Sequence, residues 1–273
     1  MLRTFPLFLG VLVAFGNAVA QEAPPLTATA EDGVTALEPV RDPGAVAAVQ
    51  QALTVLGGAR AVSQITDATV QGSLEPAKES YLKAGTFVWE DAPPEFRYTV
   101  QTADGTRVFA SGHGQPATEQ GSSGKLLLQH MAIPMRPYHL PALVLTQELQ
   151  DSRYSVKFVQ DDSATKLQAI HVRISLDADP VSARVSPQDW YFSATSGLPV
   201  RVAYRQPENL HADKYIEDTE EFFDFQTVDG IMVPSRIVLY ENRSIVGTAF
   251  ISSVKFNTGL SSSQFDLSVG GAQ

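Results

Sequence analysis

Residues 189–256 read DWYFSATSGLPVRVAYRQPENLHADKYIEDTEEFFDFQTVDGIMVPSRIVLYENRSIVGTAFISSVKF, and this stretch decides the fold. It divides into five strand-like runs: Trp190–Ala194, Pro199–Arg205, Phe222–Thr227, Ile231–Tyr240 and Ile245–Asn257. Turn signals separate them at Thr195-Ser196-Gly197, Asp229-Gly230 and Glu241-Asn242-Arg243. Within the runs, side chains alternate. Val200, Val202 and Tyr204 point one way, Arg201 and Arg205 the other; Val246, Phe250, Val254 and Phe256 share a face opposite Ser253 and Lys255. Period-two alternation gives one dry and one wet face, the habit of antiparallel sheet, and the short linkers predict a meander. No catalytic motif falls in this run.

Outward from it, alternation continues. Ile65–Leu74, Tyr81–Glu90, Phe96–Gln101, Arg107–Ser111, Tyr154–Gln160 and Leu167–Leu176 read as strands, with Asp104-Gly105 as a hairpin turn and Asp161-Asp162-Ser163 as a polar one. In Leu167–Leu176, Ile170, Val172 and Ile174 are expected inward, His171 and Arg173 outward. Asp42-Pro43 predicts a helix start, since Asp caps orphan amides and Pro suits the first helical position. Val46, Val49, Leu53 and Leu56 form its apolar stripe, and Gly57-Gly58 ends it. With no Lys or Arg on its polar face it reads as a core helix, not a membrane-surface one. Gly112–Gly124 and Asn209–Asp218 read as polar loops, and Leu126–Met131 and His139–Gln150 as two short helices broken by Pro134 and Pro137. The sum is ten to twelve strands and about three helices, an α+β domain.

The chain has 273 residues, 44% of them hydrophobic, and a formal net charge of -10. Such acidity argues against nucleic acid and against simple docking on anionic lipid. There is no cysteine, which removes disulfides, thiol nucleophiles, Fe–S clusters and cysteine zinc sites. Met1-Leu2-Arg3, the apolar Phe5–Phe15 and Ala18-Val19-Ala20 have the pattern of a cleavable signal peptide over residues 1–20. The expectation is an exported, soluble, periplasmic protein beginning at Gln21. A flexible linker would span residues 21–42, and a single domain residues 43–273.

Chemistry-bearing candidates are weak. The five histidines, His113, His130, His139, His171 and His211, make no metal-ligand motif. Ser111-Gly112-His113-Gly114 sets a hydroxyl near an imidazole on a Gly-rich turn, with no third group to orient them. Gly121-Ser122-Ser123-Gly124-Lys125 fails as a phosphate loop, because position 119 is Glu and Leu126 follows the lysine. The acidic run Asp213, Glu217, Asp218, Glu220, Glu221 and Asp224 reads as a solvated segment. No metal, no cofactor and no enzymatic activity is expected.

What remains is aromatic and apolar. Trp89, Phe96, Phe109, Trp190, Tyr204, Phe223 and Phe250 are spread over many strands, and Leu127, Met131, Leu140 and Val144 over the covering segments. A sheet with a wide apolar face must cover it, either by solid packing or by helices enclosing a hydrophobic cavity. These eleven residues are the expected cavity lining.

The run Trp190–Arg201 resembles a strand–turn–strand of the periplasmic outer-membrane lipoprotein carrier (LolA-like) superfamily. Asp229–Ile237 resembles its next hairpin, with the G-x-x-[VI]-P element at Gly230–Pro234, and Phe250–Asn257 its closing strand. The resemblance covers residues 189–267, with a looser likeness at the helix ending in Gly57-Gly58. It implies an incomplete, strongly curved antiparallel barrel, or half-barrel, whose concave side is plugged by a few helices around a cavity for acyl chains. The function it implies is a soluble carrier or binding protein for a lipid-like ligand or lipoprotein acyl chains, in outer-membrane biogenesis. The alternative is a non-enzymatic structural or assembly protein of the envelope with a solid core and a protein partner.

Overall fold

The computed structural model describes residues 38–112, 117–121, 124–128, 138–160, 162–208 and 211–266. The expected signal peptide, most of the linker, His113, His130 and Met131 lie outside them. All described residues belong to one compact unit.

Among the described residues, thirteen strands form one antiparallel sheet. They are β1 (Ala68–Pro76), β2 (Gly85–Ala92), β3 (Glu95–Thr102), β4 (Gly105–Ser111), β5 (Ala117–Gly121), β6 (Gly124–Leu128), β7 (Tyr154–Phe158), β8 (Ala169–Leu176), β9 (Gln188–Ser193), β10 (Pro199–Glu208), β11 (His211–Val228), β12 (Ile231–Glu241) and β13 (Ser244–Phe256). Their order is β6-β5-β4-β3-β2-β1-β13-β12-β11-β10-β9-β8-β7. Two meanders are thus joined by the β1–β13 pair, and β6 and β7 lie at opposite ends, so the sheet is not closed. Five helices accompany it: α1 (Pro43–Val55), α2 (Ala59–Val62), α3 (Pro141–Gln150), α4 (Asp162–Leu167) and α5 (Pro180–Val185); a 3₁₀ turn follows at Ser262–Phe265.

Helix α1 begins as its residues dictate. Asp42 Oδ1 accepts from the amides of Gly44 (2.8 Å) and Ala45 (3.2 Å), and Pro43 occupies the first turn. Ala45, Val49, Ala52 and Leu53 are buried at helical spacing. Burying Val49 and Leu53 contributes about 1.5–3 kcal/mol each. The helix stops on the sheet: the Met232 amide donates to the Leu56 carbonyl at 2.9 Å. Gly57, at φ +130, passes so close to the Asp229-Gly230 turn that a Cβ would lie 2.5 Å from the Gly230 carbonyl oxygen. Helix α3 has Pro141 at its first position and buries Ala142, Leu143, Val144 and Leu145. Together α1 and α3 cover the inner face of the β7–β13 half, where Trp190, Val202, Ile174 and Ile237 are fully buried.

Several expectations are corrected. The polar loop expected at Gly112–Gly124 holds β5, and the helix expected at Leu126–Met131 is β6 as far as Leu128. A run of three leucines has no period of its own, and the pairing Thr118↔Leu127 on the edge of β4 settles it as strand. Of the charged loop expected at Asn209–Asp218, His211–Asp218 is the first part of β11 and pairs with the end of β10, with Arg205 opposite Glu217. Of the turn expected at Asp161–Ser163, Asp162 and Ser163 are the first residues of α4, and α5 was not expected. Between Gln71 and Gly72 the β1–β13 register slips by one residue, so Ser252 on β13 is left unpaired. That bulge reverses the alternation. Val254 and Phe256 stay on the inner face, Ala249 and Ile251 join them, and Phe250 turns to the outer face opposite Arg236. The same bulge explains Gly72, where a Cβ would lie 2.2 Å from the Phe250 carbonyl oxygen.

Candidate functional site

The inner face has two walls. On one, Val254, Val70, Trp89, Tyr98 and Phe109 lie side by side across β13, β1, β2, β3 and β4. On the other, Val172, Trp190, Val202, Glu220 and Leu239 form the equivalent row across β8 to β12. Two consecutive residues bridge them. Tyr138 packs on the second wall, its ring 4.4 Å from Tyr204 and 6.1 Å from Trp190. His139 packs on the first, its ring 3.9 Å from Trp89 and 5.8 Å from Tyr98, with Nε2 2.9 Å from Asp91 Oδ2. Strands far apart in the sheet meet across one short strap, which a flat sheet would not allow.

The strap lies in a polar island within the apolar interior. Asp91 is fully buried and His139 nearly so. Asp91 Oδ1 has no hydrogen-bond partner among the described residues. The Tyr98 hydroxyl lies close to Asp91 but short of a well-formed hydrogen bond; burial, then the charges of Asp91 and Glu220, push its pKa well above the usual range. The Tyr204 hydroxyl donates to Glu220 Oε1 at 3.1 Å. Burial raises the Glu220 carboxyl to about 7, with Asp218 adding to the rise and the Tyr204 bond opposing it. Deeper, Trp190 Nε1 donates to Gln188 Oε1 at 2.7 Å, and Gln188 Nε2 donates to Glu148 of α3.

A raised carboxyl pKa means that the folded protein holds a proton which the unfolded chain releases above about 4.5. Glu220 therefore contributes stability in acid that is lost as pH rises through about 7. Urea titrations should show the unfolding free energy falling by up to about 3 kcal/mol between pH 5 and 8 on this account. In Glu220→Gln this part of the slope should vanish. An unchanged slope in the variant would put the titration elsewhere.

The structure brings part of the expected lining together. Trp89, Phe96 and Phe109 sit on the first wall, with Phe96 buried and Trp89 and Phe109 half-buried. Trp190, Leu140 and Val144 are sealed in the core, and Tyr204 lies between core and strap. Phe223 and Phe250 do not join them. They flank Arg236 on the outer face, with its guanidinium carbon 4.2 Å from the Phe223 ring centre. Leu127 is on β6, its side chain outside the described atoms, as is Met131. Sequence reasoning missed Asp91, Tyr98, Tyr138, His139 and Glu220 as one group. The available signal was a polar residue on an inward register: Asp91 two positions after Trp89, and Glu220 two before Phe222.

The outer face of β8 to β12 is charged. His171, Tyr191, Arg201 and Glu221 form one cross-strand row, and Arg173, Asp189, Ala203, Thr219 and Tyr240 the next. His171, expected outward, does face that way but is buried beneath Tyr191, with Nε2 2.8 Å from Asp189 Oδ1. Ile170, expected inward, is 39% exposed at the strand's end. Ser111 lies at the end of β4, with its suggested partner His113 outside the described residues. No group of three or more metal-ligating side chains converges among the described residues. No helix among them is long and apolar enough to cross a membrane.

An unclosed, curved antiparallel sheet with helices across its inner face defines the class: an α+β half-barrel. A solved structure shares it. A DUF1329 family protein from Desulfovibrio piger superposes with a TM-score of 0.50 at 14% identity, over 81% of this chain and 97% of its own. A LolA superfamily protein from Nitrosomonas europaea gives 0.49 at 12% identity, over 79% and 97%. No protein-family profile matches the sequence, and no curated protein matches it. The fold is shared with the DUF1329 family protein.

Proposed function

We propose that the protein is a periplasmic carrier or binding protein for an apolar, lipid-like ligand or the acyl chains of a lipoprotein, and performs no covalent chemistry. The observation that carries this reading is the unequal cover of the inner face. Helices α1 and α3 bury Ile174, Trp190, Val202 and Ile237 of the β7–β13 half completely and leave Tyr204 and Leu239 partly buried, whereas on β1 to β4 Val70, Phe87 and Phe96 are buried but Leu74, Trp89, Tyr98, Val100 and Phe109 stay only partly so. A half-covered aromatic wall inside a sheet that does not close is the place for an alkyl chain. Each methylene moved there from water contributes about 0.8 kcal/mol. Since Leu126–Leu128 is strand, the movable cover is reduced to the strap before α3. The LolA-like resemblance of residues 189–267 supports the reading, as does the signal-peptide pattern of residues 1–20.

The test is extraction of protein purified from a periplasm, with lipid sought by mass spectrometry, together with titration of a fluorescent fatty acid. Bound lipid, and a probe affinity lowered roughly tenfold by Trp89→Ala, are expected; that factor corresponds to about 1.4 kcal/mol of lost contact. Empty extracts together with no probe binding would defeat the proposal. The solid core beneath α1 and α3 favours the alternative of an envelope assembly protein in that event, and a stable protein partner in pull-downs would then be sought.

A further inference from the structure

The outer face of the sheet carries a second, chemically opposite feature. Where β8, β9 and β10 run side by side, Ala203 is the small residue between Arg201 and Arg205 on one strand face, and between Asp189 and Thr219 across the strands. Its short side chain leaves a hollow of about 380 Å³. A neighbouring hollow of about 430 Å³ shares Tyr191, Ala203, Glu217 and Arg243 with it. This is the size range of small-molecule sites. Helix α5 supplies one side through Arg184, and the β12–β13 turn the other through Arg243.

The charges around the first hollow do not cancel. Four arginines, Arg173, Arg184, Arg205 and Arg243, face two carboxylates, Asp189 and Glu217. Asp189 is committed: Arg173 holds both its oxygens, at 2.8 and 2.9 Å, and His171 also bonds it. These bonds keep its carboxyl below the usual range although burial opposes them. Glu217 meets Arg243 at only 3.8 Å, and Arg243 is 88% exposed. Arg184 and Arg205 make no ion pair among the described residues. Two positive charges are thus uncompensated around one hollow, in a chain whose net charge is -10.

We infer that this groove binds a phosphate-bearing ligand. Guanidinium forks match phosphate oxygens in pairs, and a phosphate monoester near pH 7 carries about the two negative charges that the rim lacks. A single carboxylate would leave one positive charge uncompensated. The floor is already rigid: Tyr191 lies between the His171 ring, 4.3 Å away, and the Arg201 guanidinium, 5.7 Å away, and Arg201 is fixed by Glu221. The source of the phosphate is either a soluble ester or the headgroup of a lipid. The inference is independent of the carrier reading, because the groove lies on the face away from the strap.

The test uses the full mature chain in chloride buffer. Inorganic phosphate is titrated calorimetrically, and flotation is measured with phosphatidylcholine vesicles with and without phosphatidic acid. Phosphate should bind, more weakly as salt increases. Arg184→Ala with Arg205→Ala should weaken it about tenfold or more, as expected for charge-assisted hydrogen bonds. Ala203→Phe keeps every charge but fills the hollow, and should weaken it as well. Binding to free phosphate alone points to a soluble ester; phosphatidic acid-dependent flotation that free phosphate competes away points to a headgroup. The inference is overturned if neither probe binds, or if binding is unchanged in the double arginine variant or in Ala203→Phe.

Discussion

Replacing Trp190 by alanine is expected to destabilise the protein by about 3–5 kcal/mol, the range for emptying a large aromatic site in a core. Trp190 has no exposed surface and sits at the centre of β9. Its ring stacks near Phe192 and Phe222, with centres 6.3 and 6.2 Å away, and meets Tyr138 of the strap edge-on at 6.1 Å. Its indole N–H begins the chain of hydrogen bonds through Gln188 to Glu148, which ties the sheet to α3. Two variants separate these roles. Trp190→Phe keeps most of the volume but leaves the Gln188 carbonyl without its donor, and should cost about 1–3 kcal/mol. Trp190→Ala adds the cavity. Urea unfolding of both measures the difference, and near-equal, small losses would mean that the region repacks freely and is not the rigid half of the barrel.

That rigid half is also the part most legible in the sequence. Trp190–Ala194, Pro199–Arg205 and Ile231–Tyr240 lie within two residues of β9, the start of β10 and β12, because turn residues and strict alternation agree there. Asp42-Pro43 and Gly57-Gly58 bound α1 as their chemistry requires. The failures have physical causes. Phe250 was placed inward because alternation was counted straight through Ser252; a bulge costs one residue, and the mark it leaves, Gly72, lies on the partner strand β1. Leu126–Leu128 was placed in a helix because a three-residue apolar run fits either period, and only its pairing with β5 decides. The charged β10–β11 extension looked like a loop because Asp213, Lys214, Glu217 and Asp218 interrupt any apolar alternation in its sequence. The candidate site was half legible. Trp89, Phe96 and Phe109 follow from alternation, but the meeting of Asp91 with His139, or of Tyr138 with Tyr204, depends on how far the sheet bends. Local sequence does not encode that distance.

Removing His139 should be about as costly as removing Trp190, for a different reason. Asp91 is fully buried, one of its oxygens already lacks a partner among the described residues, and the other faces His139 Nε2 at 2.9 Å. His139→Ala takes away that partner and the ring that packs 3.9 Å from Trp89. Breaking a buried pair by deleting one member typically costs about 3–5 kcal/mol, because the remaining group is left desolvated and uncompensated. If the abandoned carboxylate is the source, Asp91→Leu combined with His139→Ala should be less destabilised than the sum of the two single variants, by more than about 0.5 kcal/mol. Lost aromatic packing alone would leave the two effects additive. Because Tyr138 is the next residue and rests on the opposite wall, the same change should loosen the strap. Hydrogen exchange at Tyr138–Leu140 should then quicken more than exchange in β9. A loss below about 1 kcal/mol with unchanged exchange would show that the two walls are held together without the strap, since an effect that small is what a solvated ion pair contributes.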